Sequence, residues 1–308
     1  MMWLQLLGGL VFLVVGAELL VRGAGSIARK MGIAVFVVGY VIVGFGTSSP
    51  EVSTSLSAHF NHDSLTAWGN IFGSNAFNLA IMGIAMMITP IALTRAQKLV
   101  DIPLVVFGTL IVFLLAQNGL SEMEGLFIMS GFAMYILIMA RQNGKQKSAT
   151  QDEEIKLYPW GVSAVMVGVA FPLLMLGGKW VVDSANVIVA QYGLNPKVAG
   201  IVISACGTSL PEATTSIIAA IRKQTQLILG NILGSCLFNV IAISGICAAA
   251  NKFYLPAELY FDIIAGVALA ILLFIFGVFG KVKNMLTRIE GLLLFGGWAI
   301  YLYFSITL

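Results

Sequence analysis

Apolar runs of about twenty residues follow one another along the whole chain, separated by short polar breaks. A run of that length crosses the hydrocarbon core of a bilayer as an α-helix. The pattern predicts ten such spans, near residues 3–21, 33–58, 66–88, 101–116, 124–140, 160–182, 197–221, 226–248, 258–279 and 290–307. The longest break, residues 141–158, is polar and reads as a linker between two five-helix halves, 1–140 and 159–308. The fold class expected is therefore all-α, a polytopic membrane protein. The first run carries Glu18 near its end and no small-residue cleavage site, so it reads as a permanent span.

Composition agrees. Hydrophobic residues make up 59% of the chain and charged residues 10%, too few to cover a soluble surface. No polar stretch is long enough for a soluble domain, and nothing points to nucleic acid or to a protein partner. The ten-span reading places 14 of the 17 Lys and Arg residues on one side, leaving only Lys179, Lys197 and Lys252 on the other. The positive-inside rule makes the first side cytoplasmic. Both termini then face outward and residues 141–158 face the cytoplasm. Because five is odd, the second half enters the membrane from the opposite side, which makes the halves inverted repeats.

The repeat is visible in the residues. Gly46-Thr47-Ser48-Ser49-Pro50-Glu51 returns as Gly207-Thr208-Ser209-Leu210-Pro211-Glu212. Gly69-Asn70, Gly73-Ser74 and Phe77-Asn78 return as Gly230-Asn231, Gly234-Ser235 and Phe238-Asn239, always 161 residues later. Residues 41–79 and 202–240 align without a gap and share 17 of 39 positions. Asp101 and Asp262 keep the offset, whereas Glu124-Gly125 and Glu290-Gly291 match after a five-residue shift. Inverted repeats put substrate and ion sites at their interface, near the midplane, on broken helices.

A carboxylate in lipid is expensive, so the duplicated Glu51 and Glu212 mark a functional site. Pro50 and Pro211 each remove a helical N–H and collide with the carbonyl four residues back. Helices 2 and 7 should break there, freeing oxygens around Gly46 and Thr47, and around Gly207 and Thr208. Thr47 and Ser48 share a face with Glu51, and Asn70, Ser74 and Asn78 share a face of the third span. Asn231, Ser235 and Asn239 repeat that face in the eighth. The glycines at Gly69, Gly73, Gly230 and Gly234 allow close helix approach. The ligand set is all oxygen, which suits hard cations such as Ca²⁺. Two carboxylates balance one Ca²⁺ or two or more Na⁺.

Other polar residues have plainer readings. Asn70 and Asn231 suit interhelical hydrogen bonding. Glu18 and Lys179 are expected to snorkel from span ends. Asp101 and Asp262 suit helix N-terminal anchoring. His59 and His62 are expected in a solvated loop. Cys206, Cys236 and Cys247 lie in apolar segments and suit packing; without histidine partners they offer no zinc or copper site. No His-Glu-x-x-His motif or facing Ser–Lys or Ser–His pair suggests an enzyme.

The paired Gly-Thr-Ser-x-Pro-Glu and Gly-Asn-x-x-Gly-Ser strings resemble the alpha repeats of the cation/Ca²⁺ exchanger superfamily, and most closely its prokaryotic Na⁺/Ca²⁺ exchangers. The resemblance covers nearly the whole chain. It implies an antiporter of the prokaryotic cell (inner) membrane that exchanges Na⁺ for Ca²⁺ by alternating access, with the first and sixth helices sliding past the core. It implies Glu51 and Glu212 as shared ligands and Thr47 and Thr208 as donors of backbone carbonyls. Ser48, Ser74, Ser209 and Ser235 would complete flanking Na⁺ sites, capped by backbone oxygens of Gly44 and Ala205. Asn78 and Asn239 would line the centre. No cofactor is implied beyond the transported ions. Ser49 stands where leucine is usual, a mild departure. Asn239 stands where K⁺-dependent members carry aspartate, which tilts against K⁺ co-transport. The runner-up is Ca²⁺/H⁺ antiport at the same site; a passive cation channel is a remote third.

Overall fold

A computed structural model describes residues 2–143, 155–192 and 206–307. Ala205, Lys197, residues 197–205 of the seventh span and residues 144–154 of the linker lie outside the described residues. The described elements are α1 (Met2–Met31), α2 (Val35–Thr47), α3 (Ser49–Phe60), α4 (Ser64–Ile88), α5 (Gln97–Ala116) and α6 (Glu122–Asn143). They continue with α7 (Trp160–Tyr192), α8 (Leu210–Ile221), α9 (Thr225–Ala250), α10 (Ala257–Phe279) and α11 (Arg288–Thr307). Eight of these helices are long and apolar enough to span a bilayer. The bent pair α2–α3 forms a further candidate, and α8 is a shorter apolar helix. The protein is an all-α polytopic membrane protein.

Burial sorts the helices. α4 and α9 are buried nearly all round, while α1, α6, α7, α10 and α11 show apolar residues such as Leu4, Phe127, Val165, Ile264 and Ile300 on their outer faces. Such faces suit lipid, where every backbone group is already satisfied within its helix. α1 and α7 run antiparallel along a seam of small residues. A Cβ added at Gly9 would come within 2.9 Å of the Gly177 carbonyl, one at Gly16 within 3.1 Å of that of Ala170, and one at Gly23 within 3.1 Å of that of Ser163. Spacing of seven on both helices keeps the seam in register. At 30 and 33 residues, these two helices exceed a bilayer's thickness and must tilt.

Contacts between the halves come in reciprocal pairs. Strand β1 (Ile91–Ala92) pairs antiparallel with β2 (Met285–Leu286), and Leu120 forms a bridge with Phe253. Applying the two offsets seen in the sequence to the first contact lands within one residue of the second. The shifted offset also relates two closed capping boxes. Ser121 and Glu124 cap α6, the Ser121 N–H donating to Glu124 at 2.9 Å; Thr287 and Glu290 cap α11, with the Thr287 N–H donating at 2.7 Å.

Three expectations need correction. Asp262 does lie in the first turn of its helix, but both aspartates do more than anchor an N-terminus: Asp101 accepts from the Tyr135 hydroxyl, and Asp262 accepts from Tyr301 at 2.8 Å and Ser305 at 3.0 Å. A buried carboxylate needs such donors, and these aspartates tie the fourth helix of each half to the fifth. His59 is not solvated, because α3 runs to Phe60 and its ring packs edge-on to Phe253 at 4.7 Å. His62, the turn residue beyond, is exposed and has φ 60°. Glu18 and Lys179 are not at span ends, since α1 and α7 continue about three turns past them. Glu18 is ion-paired and Lys179 faces a cavity.

Candidate ion-binding site

The site is built where α2 meets α3 and where α8 begins. Ser48 breaks the first helix at φ −79°, ψ 9°, and the chain turns 45° between α2 and α3. Ser209 has the same conformation, φ −87°, ψ 13°, ahead of α8. Pro50 and Pro211 then fall in the first turn of the following helix, where proline's missing N–H has no helical partner to lose. The break is thus where the sequence places it, but the Gly46 carbonyl is not left open. Ser49 Oγ donates to it at 2.8 Å. Leucine 210 at the equivalent position has no such hydroxyl. The break puts Glu51 and Glu212 in the first turn of α3 and α8, where the helix dipole favours negative charge.

Each carboxylate is then held from the opposite half. Ser48 Oγ donates to Glu212 Oε1 at 2.8 Å, and Ser209 Oγ donates to Glu51 Oε1 at 2.6 Å. Thr47 Oγ1 donates to Asn231 Oδ1 at 3.2 Å, and Thr208 Oγ1 donates to Asn70 Oδ1 at 3.1 Å. The helical-face argument had grouped Ser48 with Glu51; the 45° bend turns its hydroxyl across to Glu212 instead.

The two buried asparagines brace the half-helices. Asn70 Nδ2 donates to the Glu51 carbonyl at 3.2 Å and to Ser55 Oγ at 2.9 Å. Asn231 Nδ2 donates to the Glu212 carbonyl at 3.3 Å and to Ser216 Oγ at 2.8 Å. Ser55 and Ser216 were missed from sequence although they keep the 161-residue offset, a signal that could have found them. Ser235 Oγ donates to the Gly44 carbonyl at 3.1 Å and lies 3.5 Å from Glu212 Oε1. Ser74 Oγ lies 3.4 Å from Thr208 Oγ1.

Close helix approach makes this possible. A Cβ at Gly230 would sit 2.3 Å from the Phe36 carbonyl, and one at Gly234 would sit 2.5 Å from that of Tyr40. The α2 backbone crosses α9 at that seam. A Cβ at Gly46 would strike the Phe171 ring at 2.1 Å, and one at Gly207 would strike Val182 at 2.5 Å. Both breaks are therefore covered by α7. Gly69 is not tightly packed, its nearest neighbour being Leu259 at 3.8 Å.

At the centre, Asn75 Nδ2 donates to the Cys236 carbonyl at 2.9 Å, and its Oδ1 accepts from Asn239 Nδ2 at 3.3 Å. Asn75 escapes a search for duplicated residues, because cysteine occupies its counterpart, Cys236. Glu51, Glu212, Ser48, Ser74, Ser209, Ser235, Asn78 and Asn239 are all fully buried. Glu51 Oε2, Glu212 Oε2, Asn78 Oδ1 and Asn239 Oδ1 are buried oxygens with no hydrogen-bond donor. Such acceptors are costly unless something positive meets them. Among the described residues no group of three or more His, Cys, Asp or Glu is gathered, so the cage is two carboxylates among neutral oxygens.

A cavity of about 480 Å³ lies beside the breaks, lined by Pro50, Thr54, Lys179, Val182, Thr208 and Pro211 among others. It borders Thr208 and both break prolines.

The chain's relatives are consistent with this architecture. The profile of the family described as sodium/calcium exchanger protein matches residues 1–141 and 162–307. A candidate antiporter, CaxA, of Alkalimonas amylolytica is 33% identical over 246 residues, covering 77% of each chain. Sodium/calcium exchanger MaX1 of Methanosarcina acetivorans is 28% identical over 319 residues, covering 89% of this chain and 90% of its own. A solved structure of the sodium-calcium exchanger NCX_Mj, soaked with 100 mM Na⁺ and 10 mM Sr²⁺, superposes with a TM-score of 0.86 at 26% identity, covering 98% of this chain and 99% of its own. The chain belongs to the sodium/calcium exchanger protein family.

Proposed function

We propose that the protein is a secondary antiporter that exchanges Na⁺ for Ca²⁺ across the membrane by alternating access. The observation that carries this reading is the reciprocal cage: two buried glutamates, each held by a serine of the other half, with four buried oxygens lacking donors. Oxygen-only ligands suit Ca²⁺ and Na⁺. Two carboxylates balance one Ca²⁺, and the same charge accepts two or more Na⁺ with help from neutral oxygens. A site that is satisfied by either load but not by both at once is what coupling requires.

In this reading Glu51 and Glu212 are shared ligands, and the carbonyls of Thr47 and Thr208 join them. Ser48, Ser74, Ser209 and Ser235 with the Gly44 and Ala205 carbonyls form flanking Na⁺ sites. Asn78 and Asn239 line the centre. Asn70 and Asn231 hold the half-helices that Pro50 and Pro211 start, and Gly46 and Gly207 let α7 cover the breaks. The ten spans form two inverted five-helix repeats, 1–140 and 159–308, joined by a cytoplasmic linker at 141–158. Both termini face outward, in a prokaryotic inner membrane. The protein needs no cofactor and catalyses no covalent chemistry.

The test is ion flux in liposomes with Na⁺, K⁺ and H⁺ gradients imposed one at a time. Na⁺ alone should drive Ca²⁺ movement. Uptake driven by a proton gradient without Na⁺ would replace this reading with Ca²⁺/H⁺ exchange, and flux without stimulation by a counter-ion would make it a channel. Glu51→Gln and Glu212→Gln should each nearly abolish Na⁺-driven flux while leaving the protein monodisperse. Unchanged flux in either variant would refute the site.

A further inference from the structure

The reciprocity between the halves also fails on the flanks of the long helices α1 and α7. The cavity at Thr54, Lys179, Val182 and Thr208 is partly open at the protein surface. Exchanging the halves by the offset of 161 gives its counterpart: Thr215, Glu18, Val21 and Thr47. There, Thr215 and Val21 are fully buried, as are Leu20, Ala24 and Ser26 of the same stretch of α1. In α7 the counterparts Val181, Val182 and Ala185 are half-buried and Val187 is exposed. One cleft is thus covered by its long helix and the other is open.

Among the described residues, an ion cluster sits on the covered side alone. Glu18 of α1 accepts from Arg22 Nε at 2.5 Å. It also accepts from Arg222, the residue that ends α8, with Nε at 3.2 Å and Nη2 closer. Arg22 Nη1 reaches the Tyr158 hydroxyl at 3.2 Å. The offset turns Glu18, Arg22 and Arg222 into Lys179, Asp183 and Asn61. Lys179 opposite Asn61 cannot make the ion pair that Glu18 makes with Arg222. Among the described residues, the duplicated framework therefore carries its interhelical charge clasp on one side only.

We infer that Glu18 and Arg222 form a one-sided latch that holds α1 against α8, closes the cleft on the basic side of the membrane and biases the carrier toward the state open on the other side. Inverted repeats generate two access states by exchanging the conformations of their halves. A contact made in one state alone must shift the balance between them by its own free energy. The inference rests on the antiporter reading for its purpose, but not for its measurement.

The test is sided thiol labelling. With the three native cysteines replaced by alanine, Thr215→Cys reports the covered cleft and Thr54→Cys the open one. A membrane-impermeant maleimide is applied to inside-out and right-side-out vesicles. Glu18→Gln and Arg222→Gln should each raise Cys labelling at 215 about two- to five-fold, the range of a partly exposed ion pair, and lower it at 54. The exchange Glu18→Arg with Arg222→Glu should restore the parent pattern. Lys179→Gln should change neither rate by more than the spread between preparations. Unchanged labelling in both single variants overturns the latch. So does an equal rise at both positions, which reports loosening and not a shift of state. Should Glu18→Gln fail to fold, Arg222→Gln decides, since that side chain is half-exposed at a helix end. Failure of Na⁺-driven Ca²⁺ flux in the unmodified protein would refute the antiporter reading and leave the labelling result standing.

Discussion

The seam between α2 and α9 is the tightest lever on the site. Gly230→Ala adds one carbon that would stand 2.3 Å from the Phe36 carbonyl and 2.7 Å from the Tyr40 amide. Both are backbone atoms, so no rotamer change relieves the contact. Restoring an ordinary separation needs a shift of about 0.7–1 Å between the helices. Two contacts of the cage cross that seam: Thr47 Oγ1 to Asn231 Oδ1 at 3.2 Å and Ser235 Oγ to the Gly44 carbonyl at 3.1 Å. The shift would carry both past hydrogen-bond range. Overpacking costs about 1–3 kcal/mol, and the better helix propensity of alanine offsets about 1 kcal/mol of it. The loss of support for the ligands should weaken Ca²⁺ binding about 10–100-fold. The assay is the half-saturating Ca²⁺ concentration for Na⁺-driven flux, with thermal melting in detergent beside it. Gly131→Ala is the control, since nothing lies within 4 Å of its added carbon; it should leave transport unchanged and melting equal or slightly higher. Gly230→Ala with unchanged Ca²⁺ dependence would refute the argument that this close approach sets the cage.

Three further outcomes are expected. Asn75→Cys, which copies the residue of the other half, removes the donor to the Cys236 carbonyl and the acceptor for Asn239. Losing these buried bonds should cost about 1–3 kcal/mol in thermal or denaturant unfolding and lower the flux rate. Tyr135→Phe should destabilise more than Tyr301→Phe, because Asp262 keeps the Ser305 hydroxyl at 3.0 Å whereas Asp101 has no second side-chain donor among the described residues. Melting temperatures of the two variants check the order. Ser49→Leu, which copies position 210, removes the hydroxyl from the Gly46 carbonyl. It should cost about 0.5–1.5 kcal/mol and leave Na⁺-driven flux within a few-fold of the parent.

The amino-acid pattern was most legible where the two halves agree. The offset of 161 residues singled out both glutamates, both prolines and the hydroxyl and amide positions around them. The structure brings these together by cross-half hydrogen bonds. What hid from the pattern had two physical causes. One was helix length: Glu18 and Lys179 look like span-ending charges, so the apolar pattern gives spans shorter than the helices. Their helices in fact tilt and run on to Met31 and Tyr192, which moves both charges from the interface to the flank of a cleft. The other cause was non-duplication: Asn75 and Ser49 each face a different residue type in the second half, so a search for repeated chemistry passes over them. The offset also led past Ser55 and Ser216, which were duplicated but looked like ordinary helix-surface serines.

Agreement and departure between the halves do different physical jobs. The residues that touch the cage are nearly the same in both copies, so the ligand set changes little when the halves exchange conformations. A carrier gains from that, since an ion bound equally well in either state can be released on either side. Residues that differ lie beside the cage or on its covers, and only they can make one state more stable than the other. Gly44 against Ala205 changes only a side chain beside a backbone donor, whereas Ser49 against Leu210, Asn75 against Cys236 and Glu18 against Lys179 change the polar chemistry around the site. Of these, the pair at 18 and 179 changes the sign of a charge, and it stands on the paired long helices α1 and α7, the second of which covers both breaks. Changing it should move the balance between access states while leaving the intrinsic affinity of the cage for Ca²⁺ unaltered. Ca²⁺ binding measured in detergent with the cover held in one state by a cross-link should therefore be the same for Glu18→Gln and the parent, and a difference there would place Glu18 in the site itself.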